Sequence, residues 1–384
     1  MEKIIYLDHA ATSWPKPPSV GEAMLNALEF AGANPGRGSH RMAVQASRVL
    51  FETRKELATL FGIKNPNDIV FGSNTTEVLN LAIRGTLQDG DHVIATMAEH
   101  NSVRRPLELL RKQGIIQVDY VPVDGSGSID LKKMEHMFRE NTRLVVCTHS
   151  SNLLGSILPI SEISQLCRKH QALLLVDAAQ SAGVMPVDVG QLGIDMLAFP
   201  GHKGLLGPQG TGGLYIAPDI DVQPLIYGGT GSQSEALEQP KVRPDRYEAG
   251  TPNTIGIAGL GAGVKQVLTI SPSVIYQHEW ELTQHIMEGI SSIQGVRILG
   301  PEMGQPRTGL VSFIVEGYDA AQLAFQLDRK YSIAVRSGFH CTPLAHEAAG
   351  TTDTGAVRAS VGYSTSKDEV DEFIRAVIEL TSDK

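Results

Sequence analysis

The chain has 384 residues, enough to bury a large core in two structural lobes, and its 42% hydrophobic and 20% charged content is ordinary for a globular protein. A formal charge of −9 with no long basic run excludes nucleic acid as the main partner. Three cysteines far apart make no disulfide framework, "MEKIIYLDHAATS" is acidic with only four consecutive apolar residues and so no signal peptide, and no apolar run is long enough for a membrane span; a cytoplasmic location is expected.

From about Asp68 to Pro218, short apolar runs alternate with helix-like segments. "DIVFGS" precedes "TTEVLNLAIRG", "DHVIAT" precedes "SVRRPLELLRKQG", and "TRLVVCTHSS" precedes "ISEISQLCRKH"; "ALLLVDAAQ", "IDMLAF" and "TGGLYIA" follow as strands. Such near-continuous apolar strands with helical crossovers predict an α/β fold with a mainly parallel sheet covered on both faces. Cys147 and Cys167 lie in apolar segments and read as core residues, and His92, at the start of its strand, reads as a surface residue.

The C-terminal part changes character. "GIAGLGAGVKQVL" and "VIYQHEWELTQHIMEGISSI" read as helices and "TGLVSFIVE" as a strand; "DAAQLAFQLDRKY" reads as a helix with Ala320, Leu323, Ala324 and Leu327 on one side. Ser366 and Glu369 have capping-box spacing before a helix whose apolar stripe is Val370, Phe373, Ile374, Val377 and Ile378. The expected division is a large domain over 13–255 and a smaller α/β domain from 1–12 and 256–384.

Ligands of parallel sheets sit at the carboxyl ends of the strands, and three polar groups fall there. In "GSNTTE", Asn74 and Glu77 suit a helix N-terminus, leaving the N–H groups and hydroxyls of Thr75 and Thr76 free for a phosphate. A plain capped helix has the same pattern. Asp177 ends a strand too apolar to be exposed, and its charge calls for a partner, whether a structural cation, a metal or a ligand. Lys203 follows an apolar strand among Gly201, Gly204, Gly207 and Gly210, and is either a loop lysine or an amine made nucleophilic by desolvation. Together they match what pyridoxal phosphate needs: a Schiff-base lysine, a carboxylate for the ring nitrogen and a phosphate cradle. His100, in "AEHNS", is placed to cover the ring.

At this point the sequence resembles the cysteine desulfurases and selenocysteine lyases among the class V aminotransferase-like, fold-type I enzymes. "YLDHAATS", "TTEVLNLA", "EHNS", "HSSNLLGS", "VDAAQS", "GHKG", "YEAGTPNT", "RSGFHC" and "VRAS" match in family order along nearly the whole chain. The resemblance implies a seven-stranded-type sheet and a homodimer with its active site between subunits. It implies that Lys203 carries the cofactor and moves the α-proton, Asp177 pairs with the ring nitrogen and Gln180 contacts the phenolic oxygen. His100 stacks on the ring as an acid–base group, and Thr75, Thr76 and His202 hold the phosphate with Thr251 of the neighbouring subunit. Asn152 and Arg358 orient the substrate carboxylate, Arg336 joins them as a substrate-binding residue, and Cys341 attacks sulfur, with Arg336 or His340 nearby to favour its thiolate.

Two positions depart from the family pattern: Pro200 replaces a phosphate-binding serine, and His9 stands where asparagine is usual. The short "RSGFHC" spacing resembles the branch with a compact cysteine loop, in which a protein acceptor commonly takes the sulfur. The expected reaction converts L-cysteine to L-alanine and leaves a persulfide on Cys341. Alternatives with the same cofactor are a selenocysteine lyase acting on L-selenocysteine, a C–S lyase and an aminotransferase. A zinc module built from His340, Cys341 and His346 is a different class, but lacks the usual ligand spacing.

Overall fold

Apolar runs too short for helices become the strands of a central sheet. The computed structural model describes residues 4–36, 38–233 and 235–382. In chain order its strands are β1 (Ile5–Tyr6), β2 (Ile69–Gly72), β3 (Asp91–Thr96), β4 (Ile116–Val121), β5 (Thr142–Thr148), β6 (Leu173–Asp177), β7 (Met196–Pro200), β8 (Gly212–Ile216), β9 (Val296–Leu299), β10 (Leu310–Val315), β11 (Ile333–Ala334), β12 (Arg336–Gly338) and β13 (Ala356–Ser360). The helices are α1 (Pro18–Phe30), α2 (Arg41–Phe61), α3 (Thr75–Thr86), α4 (Asn101–Lys112), α5 (Leu131–His136), α6 (Ile160–Lys169), α7 (Val189–Leu192), α8 (Thr254–Ile270), α9 (Pro272–Ser291), α10 (Ala320–Tyr331), α11 (Pro343–Ala348) and α12 (Lys367–Ser382).

The central sheet has seven strands in the order β2-β8-β7-β6-β5-β3-β4. From β4 to β7 every pairing is parallel, whereas β8 runs antiparallel to both β7 and β2. No crossover helix joins β7 to β8, and their connection is the loop that carries Lys203. Both faces of the sheet are covered: Val145, Cys147, Leu174 and Val176 face one core, and Leu144, Val146, Leu175 and Met196 the other. Each large apolar side chain so buried contributes ~2 kcal/mol to stability. Cys147 and Cys167 are core residues, as read. His92 is not on the surface. Its strand lies between β4 and β5, so it is fully buried, with Nδ1 2.8 Å from Thr142 Oγ1 and Nε2 3.2 Å from Asp119 Oδ2.

A second, antiparallel sheet has the order β12-β13-β10-β9, and β1 pairs in parallel with β11 beside it. Leu282, Ile286 and Ile290 of α9, Leu323 and Leu327 of α10, and Phe373 and Val377 of α12 close its core. The capping box forms: Ser366 N–H donates to Glu369 Oε2 (2.8 Å) and Glu369 N–H donates to Ser366 Oγ (3.3 Å). Ile378 leaves the expected stripe and is 40% exposed, because it sits at the stripe's edge where nothing packs over it. α8 contributes Leu260 and Val264 to the core of the central sheet, and α9 turns away from it. No single described helix is long and apolar enough to cross a membrane; α8 and α9 reach that composition only as a pair bent by 78°.

Candidate active site

The carboxyl ends of the parallel strands gather the predicted groups into one cavity of about 180 Å³. It is lined by Thr75, Thr76, His100, Asn152, Asp177 and Lys203, with Gln180, Pro200 and His202 at its walls. Three strand ends supply the charged and aromatic groups: β3 leads to His100 and β6 ends at Asp177 where crossovers begin, and β7 leads to Lys203 in the loop that returns to β8.

Asn74 caps α3, its Oδ1 accepting from Glu77 N–H (3.0 Å), while Glu77 Oε2 accepts from Ser73 N–H (2.7 Å). The cap leaves the first-turn N–H groups of Thr75 and Thr76 open toward the cavity, where the helix dipole favours an anion. Thr76 Oγ1 lies 2.7 Å from Ser102 Oγ, which in turn lies 2.8 Å from His100 Nδ1. His100 is itself the N-cap of α4: Nδ1 accepts from Ser102 N–H (3.1 Å), so in the neutral ring the proton sits on Nε2. Burial, with Lys203, Arg336, Arg105 and Arg358 nearby, pushes its pKa down to about 4.

Asp177 is 2% exposed and pairs with no cation among the described residues; its Oδ1 accepts from Ala179 N–H (2.9 Å). Burial raises its pKa. A structural salt bridge is thus not what this carboxyl is for, and a cationic ring nitrogen in the cavity would supply the missing partner. Lys203 lies opposite. Burial lowers its pKa to about 8, against the opposing pull of Asp177, which makes the amine available to a carbonyl near neutral pH. A lone buried carboxyl, a low-pKa lysine and an open helix N-terminus around one cavity therefore fit pyridoxal phosphate.

Gln180 Nε2 donates to Ala10 O (3.1 Å), and His202 Nδ1 lies 3.1 Å from Thr12 Oγ1. Pro200 presents no donor, and the hydroxyls lining the cavity are those of Thr75, Thr76, Ser102, Thr148 and Ser150. His9 lies behind the cavity wall, its ring edge-on to Tyr6 at 5.1 Å and packed over Gly362, where a Cβ would come within 2.2 Å of Nδ1. Burial holds its pKa at about 4, so it acts as a neutral space-filling ring.

The lip of the site comes from the second sheet. Arg358, 1% exposed on β13, donates from Nη1 to Asn152 O (2.8 Å) and from Nη2 to Asp8 Oδ1 (3.0 Å). Arg336 is its cross-strand neighbour on β12, and its Nη2 is 3.8 Å from Cys341 Sγ. Cys341 is exposed, unlike the other two cysteines. Of the two candidates for favouring its thiolate, only Arg336 reaches the sulfur. The His340 ring is buried, stacked on His346 at 5.8 Å, and held neutral by burial and by Arg358, with a pKa of about 2. Among the described residues no group of three His, Cys, Asp or Glu is arranged to hold a metal. Thr251 is exposed and does not line this cavity; Asn34 Nδ2 lies 3.5 Å from its Oγ1.

Several groups around the site escaped the sequence reading. Asp8 is the carboxylate that holds Arg358. Thr12, Ser13 and Lys16 bind the backbone beside the lysine: Lys16 Nζ donates to His202 O (2.7 Å) and Ser13 Oγ to Lys203 O (2.9 Å). Glu99, 1% exposed, accepts at Oε1 from Thr96 Oγ1 (2.6 Å) and Thr148 N–H (2.9 Å), and burial pushes its pKa up to about 8. For Asp8, Thr12, Ser13 and Glu99 the only sequence signal was their place inside the matched motifs, which says nothing of what they touch, and Lys16 lies outside them.

A parallel sheet whose carboxyl edge joins a lysine, a lone carboxylate and a helix N-terminus defines a fold-type I α/β enzyme. The family model for aminotransferase class-V matches residues 5–373, and the chain belongs to that family. Enzymes of this family use pyridoxal phosphate. The chain is 38% identical over 373 residues to a probable cysteine desulfurase of Methanothermobacter thermautotrophicus, covering 95% of this chain and 92% of the relative. It is 37% identical over 391 residues to a probable cysteine desulfurase of Pyrococcus abyssi, covering 99% and 94%. Among solved structures, the apo cysteine desulfurase of Thermococcus onnurineus superposes with a TM-score of 0.93 at 36% identity, over 99% of this chain and 95% of that one. The cysteine desulfurase CsdA of Escherichia coli, in an S-sulfonic acid form, gives 0.89 at 26% identity, over 98% and 95%.

Proposed function

We propose that the protein is a pyridoxal phosphate-dependent cysteine desulfurase that converts L-cysteine to L-alanine and takes the sulfur onto Cys341. The observation that carries this reading is the exposed Cys341 thiol beside Arg336, on the lip of the cavity that holds Lys203 and the unpaired Asp177. When bound, the cofactor withdraws electrons from the substrate's α-carbon.

In this reading Lys203 would hold the cofactor and, once released by substrate, take the α-proton as a free amine. Asp177 would partner the ring nitrogen, Gln180 the phenolic oxygen, and His100 would cover the ring, its Nε2 carrying the proton. Thr75, Thr76 and His202 would bind the phosphate at the N-terminus of α3. Arg358 and Asn152 hold the substrate carboxylate, a role suited to a planar guanidinium. Arg336 stabilises the Cys341 thiolate, which attacks the substrate sulfur. The C–S bond breaks as the S–S bond forms, the former sulfur-bearing carbon gains a proton to become the methyl group of alanine, and Cys341 is left as a persulfide. Atoms and electrons balance with no external oxidant.

The active unit in this reading is a homodimer, with Thr251 serving the neighbouring subunit's phosphate. Exposed Leu25, Leu28, Phe30, Met42, Val44 and Phe51 on α1 and α2 supply an apolar surface for such contact. A protein acceptor would then collect the sulfur, and the three unpaired cysteines suit a reducing, cytoplasmic setting. The test is to add L-cysteine to the cofactor-loaded protein and measure alanine, pyruvate and sulfide while following the cofactor's absorbance. Alanine is the expected product, and Cys341→Ser should abolish sulfide release but keep the absorbance change. Pyruvate as the product, or full turnover in Cys341→Ser, overturns the reading.

A further inference from the structure

The peptide leading into Cys341 is held by groups outside its own loop. His340 and Cys341 have φ of 49° and 60°, two consecutive residues in the left-handed region that a Cβ disfavours. The loop's buried side chains contribute packing, the His340 ring stacking on His346, while the hydroxyl of Thr342 has no hydrogen-bond partner. Its backbone carbonyls are tied from the central sheet's side of the cavity. Asn152 Nδ2 donates to His340 O (2.7 Å), and Asn101 N–H, at the start of α4, donates to Cys341 O (2.9 Å).

Asn152 is doubly engaged. Its own carbonyl accepts from Arg358 Nη1 (2.8 Å), and its side chain lines the cavity. An amide nitrogen carries two hydrogens, and His340 O takes one of them. A carboxylate bound by Arg358 would meet the other. The same nitrogen would then hold the substrate and the peptide one residue before the thiol.

We propose that Asn152 is a positioning residue for Cys341: through His340 O it sets the loop, and thereby the distance between the thiol and a substrate gripped by the same side chain. The link to substrate rests on the desulfurase reading; the link to the loop does not.

The experiment is hydrogen exchange on the intact cofactor-loaded protein, read by mass spectrometry over peptides covering residues 336–343. Asn152→Ala should raise exchange there about two- to tenfold, the factor that one lost hydrogen bond of ordinary strength gives. Peptides from β5 and β6 should be unchanged, which separates loop release from unfolding. Asn152→Asp is the second variant: it keeps the size of the side chain but replaces the donating NH2 by a carboxylate oxygen that cannot donate to His340 O. It should loosen the same peptide. Unchanged exchange in Asn152→Ala overturns the proposal, and if that variant does not fold, unchanged exchange in Asn152→Asp does so. In turnover, Asn152→Ala should lower kcat for alanine as well as raise KM; a rise in KM alone marks a carboxylate receptor with no hold on the thiol and also overturns it. Failure of the desulfurase reading is seen separately, as persistent turnover in Cys341→Ser.

Discussion

Replacing Lys203 by methionine, in protein stripped of cofactor, should stabilise the fold at neutral pH. Burial lowers the lysine's pKa from an ordinary 10.5 to about 8. Its folded-state pKa lies below the unfolded one, so the charged form is penalised by folding. The full penalty applies below about pH 8, shrinks as pH rises toward 10.5, and vanishes above it. A difference of this size, in which the attraction to buried Asp177 is already included, corresponds to an expected gain of about 3 kcal/mol. For a chain of this length that is a rise of about 4 °C in Tm. Thermal melts of both proteins at pH 7 and near pH 10 measure it. The gap should narrow at the higher pH, because the wild type recovers stability as Lys203 loses its proton. A methionine variant less stable at pH 7, or a gap that does not change with pH, would refute the desolvation argument.

Three further outcomes follow from the same structure. A small alkylating reagent should label one thiol per folded chain, Cys341, since burial raises the other two thiols, Cys167 to about 12; mass spectrometry of the native protein counts them, and rapid labelling of Cys147 or Cys167 contradicts the core assignment. Gly183→Ala should destabilise by roughly 2–4 kcal/mol and weaken cofactor binding, because Gly183 has φ +80° and a Cβ there would lie 2.4 Å from Gly204 O, next to the lysine; denaturant titration and cofactor affinity test both halves. Ser366→Ala should cost about 1 kcal/mol through loss of the α12 cap, with kinetics unchanged, and a larger loss of activity than of stability would show that the helix does more than close its own core.

The sequence alone determined the layered α/β plan, because near-continuous apolar strands between amphipathic helices have few other ways to bury both faces. It also marked Lys203, Asp177, His100 and Cys341, since a lysine, an acid, a histidine and a thiol at strand ends or in a glycine-rich loop are chemically conspicuous without any partner being known. It missed β4, the outer strand, where Gln117 and Asp119 break up the apolar residues and only Ile116 and Val121 are buried, and it misplaced His92, whose burial depends on neighbouring strands. The reversed direction of β8 was also beyond it, as strand polarity is set by how the Lys203 loop returns rather than by composition. Only the tertiary structure decided the pairings across the chain: Asp8 with Arg358, Lys16 with the carbonyl of His202, and Asn152 with the peptide before Cys341. Each joins residues more than 180 positions apart, and a hydrogen bond between such groups leaves no local signature in either segment.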